Sequence, residues 1–149
     1  MLSRPDRTRE ICRGVTRHLA QRGYATVAEM TFANGRRADV FAMGPDGEIV
    51  VVEVKSGWED FRVDQKWPDY RDYCDRFYFA VDVDFPQDVV PADVGLIVAD
   101  GYGGEMLREA PSHPLAAARR RALMIAFAQL SSRRLLTAID PEALRDIVE

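Results

Sequence analysis

Between Arg7 and Gln21 the apolar residues Ile11, Val15 and Leu19 recur at i, i+4 and i+8, while Arg9, Arg13 and Arg17 fall elsewhere on the wheel. This period predicts an amphipathic helix, and Gly23 supplies its stop signal. Three runs of strand character follow, Tyr24 to Phe32, Arg36 to Met43 and Glu48 to Lys55, separated by Asn34-Gly35 and by Gly44-Pro45-Asp46-Gly47. Turn residues at those spacings predict two hairpins in a meander. The third run, Ile49-Val50-Val51-Val52-Glu53-Val54, is β-branched and apolar on both faces, the pattern of a central strand covered on both sides.

After Ser56-Gly57 the chain turns polar and aromatic, predicting a loop that leads into a short helix from Pro68 to about Cys74. Arg76 to Val81 and Val94 to Ala99 read as two more buried strands, joined by a proline-punctuated segment with one helical turn. Gly101 to Gly104 is a turn, Glu105 to Glu109 an edge strand, Leu115 to Ser131 an alanine- and leucine-rich helix, and Pro141 to Val148 a short terminal helix. The element order is αβββαβ with β and α additions, an α/β chain with a mixed central sheet and extra C-terminal helices. Its 149 residues suit one domain, 1–149.

Chemistry enters through the period of the third strand. Glu53 and Lys55 are two apart and so point to one face, about 7 Å apart along the strand. With Pro45 to Gly47 as the loop, Phe41 lies opposite Val51 and Asp39 opposite Glu53, their Cβ atoms about 5 Å apart. A loop one residue longer or shorter turns Asp39 to the other face. At an effective dielectric near 20, two carboxylates at that spacing repel by roughly 3–4 kcal/mol, a large penalty against the stability of a domain. Lys55 alone leaves the pocket negative, which predicts a hard divalent cation, Mg²⁺ by preference. Glu29 on the neighbouring strand is a candidate third carboxylate, directly or through water.

Composition sharpens this picture. The chain has eighteen Arg but two Lys, Lys55 and Lys66, and a compact ammonium suits water activation or charge stabilisation where a guanidinium does not substitute. Lys66 and Tyr70 at i, i+4 share a face if helical. The net charge of −4 conceals basic ends and an acidic middle: eight Arg and four acids up to Val40, six basic residues and sixteen acids from Phe41 to Ala110, six Arg and four acids thereafter. Arg13, Arg17, Arg36 and Arg37, with Arg119 to Arg121, are the candidate phosphate contacts. Cys12 and Cys74 lack metal or redox spacing, and neither His18 nor His113 has a ligand partner. Walker and G-x-S-x-G motifs are absent, which leaves nucleotide hydrolysis and acyl transfer without residues to carry them. Asp82 and Asp84 read as a strand terminus. No apolar run reaches the ~18–20 residues of a membrane span and no signal-peptide core is present, so a cytoplasmic protein without membrane partners is expected.

The pattern Glu29, then Arg37-Ala38-Asp39-Val40, then Val52-Glu53-Val54-Lys55-Ser56 resembles the PD-(D/E)XK, or restriction endonuclease-like, superfamily. More closely, Arg36-Arg37-Ala38-Asp39, Glu53-Val54-Lys55-Ser56 and the run from Asp60-Phe61 through Asp64, Lys66-Trp67, Tyr70 and Cys74-Asp75-Arg76-Phe77 resemble the MmcB family of bacterial DNA repair proteins, over roughly Arg7 to Asp100. The resemblance implies a restriction endonuclease-like αβββαβ core, a DNA partner and a role in DNA repair. It also implies Mg²⁺, or Mn²⁺ in its place, on Asp39, Glu53 and the Val54 carbonyl, with Lys55 assisting the attacking water. Ala38 stands where the superfamily name has proline. The two functions expected are a metal-dependent DNA nuclease or a nuclease-fold factor that binds DNA or a repair-protein partner without cleaving.

Overall fold

A computed structural model of the chain describes residues 2–64 and 66–145. The first helix, α1 (Arg4–Gln21), starts one turn before the apolar period because Ser3 caps it, its hydroxyl accepting the Asp6 N–H at 3.2 Å, and because a proline sits in its first turn. Strands β1 (Ala25–Thr31), β2 (Arg37–Met43) and β3 (Ile49–Val54) form the predicted antiparallel meander. Helix α2 (Trp58–Val63) and a 3₁₀ helix (Trp67–Tyr73) cross over to β4 (Arg76–Val81), which runs parallel to β3. Strand β5 (Gly95–Ala99) is parallel to β4, and β6 (Gly104–Arg108) closes the sheet antiparallel. The result is one mixed six-stranded sheet in the order β1-β2-β3-β4-β5-β6, with the predicted αβββαβ succession at its heart.

Alternation along the strands gives the sheet two different faces. On one, Val40, Ala42, Val50, Val52 and Ala80 bury against Ile11, Val15 and Leu19 of α1. On the other, Phe41, Phe77 and Phe79 meet an aromatic layer from the crossover: Phe61 packs on Phe79 at 5.2 Å, Trp67 on Phe77 at 5.7 Å, and Phe32 stacks on Tyr73 at 4.6 Å. Strand β3 is buried throughout, as its β-branched run requires. Its start is fixed by the buried Asp75, whose carboxylate accepts the N–H groups of Ile49 and Leu115, both at 2.8 Å.

The crossover is more helical than its polar sequence suggests, since the segment expected as loop contains α2. Pro68 opens a helix at the predicted place, but of 3₁₀ type. Helix α3 (Ala117–Ile139) passes through Ser131-Ser132-Arg133-Arg134, where the apolar pattern lapses, because no glycine or proline intervenes before Pro141. The predicted terminal helix Pro141 to Val148 is a turn over 141–145, and its remainder lies outside the described residues. Contacts divide the chain into two compact units, Met1–Leu115 and Ala116–Glu149, the second built on α3. Among the described residues no helix is long and apolar enough to cross a membrane.

Gly14 lets α1 lie against the turn after β5, since a Cβ there would stand 1.9 Å from the Asp100 carbonyl oxygen and 2.5 Å from that of Gly103. Both obstacles are backbone and cannot rotate aside. Gly14→Ala is expected to destabilise the protein by roughly 1–3 kcal/mol through forced separation of helix and turn, measured as a lowered urea midpoint at unchanged slope.

Candidate metal centre

The β2–β3 hairpin turns through Pro45-Asp46-Gly47. The Gly44 N–H donates to the Glu48 carbonyl at 2.8 Å, and Gly47 takes a φ of 87°, which glycine adopts without steric cost. The resulting register pairs Met43 with Ile49, Phe41 with Val51 and Val40 with Val52, as the three-residue loop predicts. One step further, side chains replace the ladder. The Asp39 N–H donates to Glu53 Oε1 at 3.1 Å, and the Val54 N–H donates to Asp39 Oδ2 at 2.8 Å. Each strand's carboxylate is thus fastened to the backbone of the other, on the aromatic face of the sheet.

Glu53 and Lys55 are each only 7% exposed, and Asp39 is half-buried. Burial, and then the charge of Asp39, pushes the Glu53 carboxyl up to about 8. Burial also raises Asp39, against the opposing pull of the Val54 N–H and the Lys55 ammonium. The ammonium itself is engaged by Asp64, with Lys55 Nζ 2.6 Å from Asp64 Oδ2. Burial works upward on Asp64 too, but the hydrogen bonds from Lys55 and from the Lys66 N–H outweigh it and hold its carboxyl below the usual range. When both are ionised, the two crowded carboxyls carry negative charge that the one adjacent lysine, paired with Asp64, does not offset.

That donor set suits a hard cation. Its side-chain donors are carboxylate oxygens, and in an extended strand the N–H and C=O of one residue emerge on the same edge. The Val54 carbonyl therefore faces β2 together with the N–H that meets Asp39. Glu29 does not join the pair. It sits where the β1–β2 ladder would set it opposite Asp39, between the pairs Ala28–Val40 and Met30–Ala38, but its φ of 55° takes it out of the pairing. A left-handed non-glycine backbone costs on the order of 1 kcal/mol. Its exposed carboxylate lies 3.9 Å from the Arg37 guanidinium. Among the described residues no three His, Cys, Asp or Glu side chains come together as a cage for a metal ion.

The other predicted residues are dispersed. Lys66 is exposed at the start of the 3₁₀ helix, and with three residues per turn the i, i+4 spacing separates it from Tyr70 by roughly 120° instead of aligning the two. Tyr70 turns inward, donates to the Arg37 carbonyl at 2.8 Å and is raised by burial and by the Glu53 and Asp39 charges, so it belongs to the wall of the site. Arg36 pairs with Asp69 at 3.1 Å and Arg37 with Glu29, both at the start of β2. Arg13 and Arg17 are exposed on α1, which covers the opposite face of the sheet, and Arg17 reaches the Tyr102 carbonyl at 3.3 Å. Asp82 accepts the Asp84 N–H and lies 3.6 Å from Arg7, the expected structural terminus of β4. Asp64 is the residue that sequence reasoning left without a role, because strand period and hairpin register say nothing about a loop that folds back over the sheet. The available signal was the buried lysine, which needs a dedicated counter-ion once the two carboxylates are committed elsewhere.

A mixed sheet presenting two interlocked carboxylates and a buried lysine at one strand end defines an α/β protein with a candidate site for a hard cation. The chain belongs to the family described as DNA repair protein MmcB-like, which it matches over residues 2–142. It is similar to a solved structure described as the SPO1766 protein of unknown function from Silicibacter pomeroyi, with 46% identity and a TM-score of 0.89 across 91% of this chain and 93% of that one. No match is found among curated proteins.

The raised Glu53 carboxyl sets a pH dependence of stability. A carboxyl whose folded value lies above its unfolded one adds stability below the unfolded value of 4.5, lost as pH climbs through about 8. In chelator-treated protein Glu53→Gln, which keeps an acceptor for the Asp39 N–H, is expected to exceed wild type by roughly 2–4 kcal/mol near pH 8.5 and to lose that advantage below pH ~4.5. Denaturant melts across pH measure the difference.

Proposed function

We propose that this member of a DNA repair family is a metal-dependent phosphodiesterase of the PD-(D/E)XK type acting on DNA. The observation that carries the reading is the mutual fastening of Asp39 and Glu53 beside Lys55, which holds two carboxylates together at a cost that a bound cation would remove. Asp39, Glu53 and the Val54 carbonyl would hold Mg²⁺, with Mn²⁺ as a substitute of similar donor preference. When bound, the ion supplies Lewis acidity toward a phosphate oxygen and acidifies water.

The chain's own groups do the rest. Lys55 offers a donor to charge building on the phosphate, and Asp64, 2.6 Å from its Nζ, holds that ammonium in place. The Tyr70 hydroxyl, committed to the Arg37 carbonyl, closes the site on the aromatic side and limits water. Arg36 and Arg37 at the start of β2 provide the nearest phosphate contacts. Glu29 and Lys66 sit outside the carboxylate pair, where they would act on substrate position before they act on the reacting atoms.

One observation favours a second reading, a nuclease-fold factor that binds DNA or a repair-protein partner without cleaving: the Lys55 ammonium is already neutralised by Asp64. The two readings separate in one series. Calorimetric titration with Mg²⁺ is expected to show binding to wild type and Lys55→Ala, and none to Glu53→Ala. With single-stranded, duplex and branched DNA in Mg²⁺ or Mn²⁺, Lys55→Ala is expected to cleave at least about 100-fold more slowly than wild type. Metal binding with no cleavage of any DNA, alongside salt-sensitive DNA affinity, would move the assignment to the second reading. Cleavage undiminished in Lys55→Ala would discard the first.

A further inference from the structure

The ammonium of Lys55 is not paired with the two acids beside it. Among the described residues the carboxylate within ion-pair distance of its Nζ is that of Asp64, at 2.6 Å. Asp39 and Glu53 each turn an oxygen to a backbone N–H of the other strand instead. The Lys55–Asp64 pair is nearly dry, with side chains 8% and 14% exposed, and its short contact is of the charge-assisted kind. A pair withdrawn from water in this way does not open unless another anion takes the vacated place, because a lone buried ammonium has no solvent to replace its partner.

Charge and attachment together say which anion that is and which partner yields. A phosphodiester carries one negative charge, as Asp64 does. Brought to Lys55 while Asp64 is there, it meets a like charge at close range; with Asp64 withdrawn, it restores the balance of the ammonium one for one. Lys55 follows the buried strand β3, and its N–H donates to the Ala80 carbonyl at 2.9 Å, so the lysine stays with the sheet. Asp64 follows the last residue of α2, which is tied to the sheet through the Phe61 ring, 5.2 Å from Phe79, and to α1 through the Arg4–Asp60 pair at 2.9 Å. Side-chain contacts hold that segment, and Asp64 is the partner that moves.

We infer that Asp64 is an internal competitor for the substrate: it occupies Lys55 in the free protein, and a phosphodiester of DNA takes its place on the ammonium when DNA binds. The inference rests on the role proposed for Lys55 toward phosphate and adds that the free protein holds that lysine masked.

Fluorescence anisotropy with labelled single-stranded and duplex oligonucleotides in Ca²⁺ measures DNA affinity apart from cleavage. Asp64→Asn keeps an acceptor for the Lys66 N–H, which Asp64 receives at 2.8 Å, and removes the charge. It is expected to tighten binding of at least one DNA form by at least about 10-fold. In a Lys55→Ala background the same change should give no gain. Glu59→Gln, which removes one negative charge from α2 without touching Lys55, should bind as wild type does. Asp64→Ala repeats the comparison if the asparagine variant does not fold, with circular dichroism as the check. In Mg²⁺, Asp64→Asn is expected to raise kcat/KM through a lower KM with kcat retained. Failure of both Asp64 variants to tighten binding, a gain that persists without Lys55 or is matched by Glu59→Gln, or a fall of kcat in Asp64→Asn would each overturn the inference. If no variant cleaves DNA, the proposed activity fails, while the affinity comparison still decides the exchange.

Discussion

Two carboxyls held side by side, one buried and one half-buried, set the terms for everything around them. Asp39 and Glu53 would separate if either strand were free to shift, so the hairpin must hold them together. It does so with the side chains themselves: each acid accepts a backbone N–H contributed by the other strand. The bonds that create the electrostatic problem are also those that lock the register. Around the pair the protein supplies an aromatic wall, a buried lysine and a third acid to balance that lysine. Each element answers a cost created by the one before it, as expected where polar groups are few and the local dielectric is low.

The same constraint explains the unequal faces of the sheet. The α1 face needs only to exclude water, and small β-branched and alanine side chains do that with the helix laid across them. The opposite face carries the carboxylate pair and excludes water with rings, whose edges and faces meet at 5.1 to 5.7 Å for Phe77, Phe79, Phe61 and Trp67. Backbone strain collects in the same neighbourhood. Glu29 adopts a left-handed conformation one strand away from Asp39, so the ladder is interrupted where a third carboxylate would otherwise crowd the pair.

Much of this was legible in the residues, and the reasons differ from part to part. The strands could be read because β-branched runs and turn residues alternate sharply, and the register because taking Pro45 to Gly47 as the loop fixes the pairing, Gly47 supplying the positive φ of the turn. Lys55 stood out as one of two lysines. What escaped lay in the crossover. Trp58 to Tyr73 carries charge and aromatic rings without a clean period, so α2 was invisible, the 3₁₀ pitch turned Lys66 away from Tyr70, and Asp64 reached Lys55 through a fold-back that no local pattern encodes. Helix α3 outran its apolar pattern because helical continuity needs only the absence of a breaker.

The aromatic wall has an optical consequence. Trp67 stacks on Phe77, lies edge-on to Phe79 and has the Arg71 guanidinium 5.2 Å from its ring centre. Phe79 is in turn the register partner of Glu53 on the adjacent strand. An asymmetric, tightly packed indole two side chains from the carboxylates is a chiral chromophore whose near-ultraviolet dichroism and emission follow the local field. The Trp67 contribution to those signals is therefore expected to change as that pair is protonated, ionised or neutralised, without any added label.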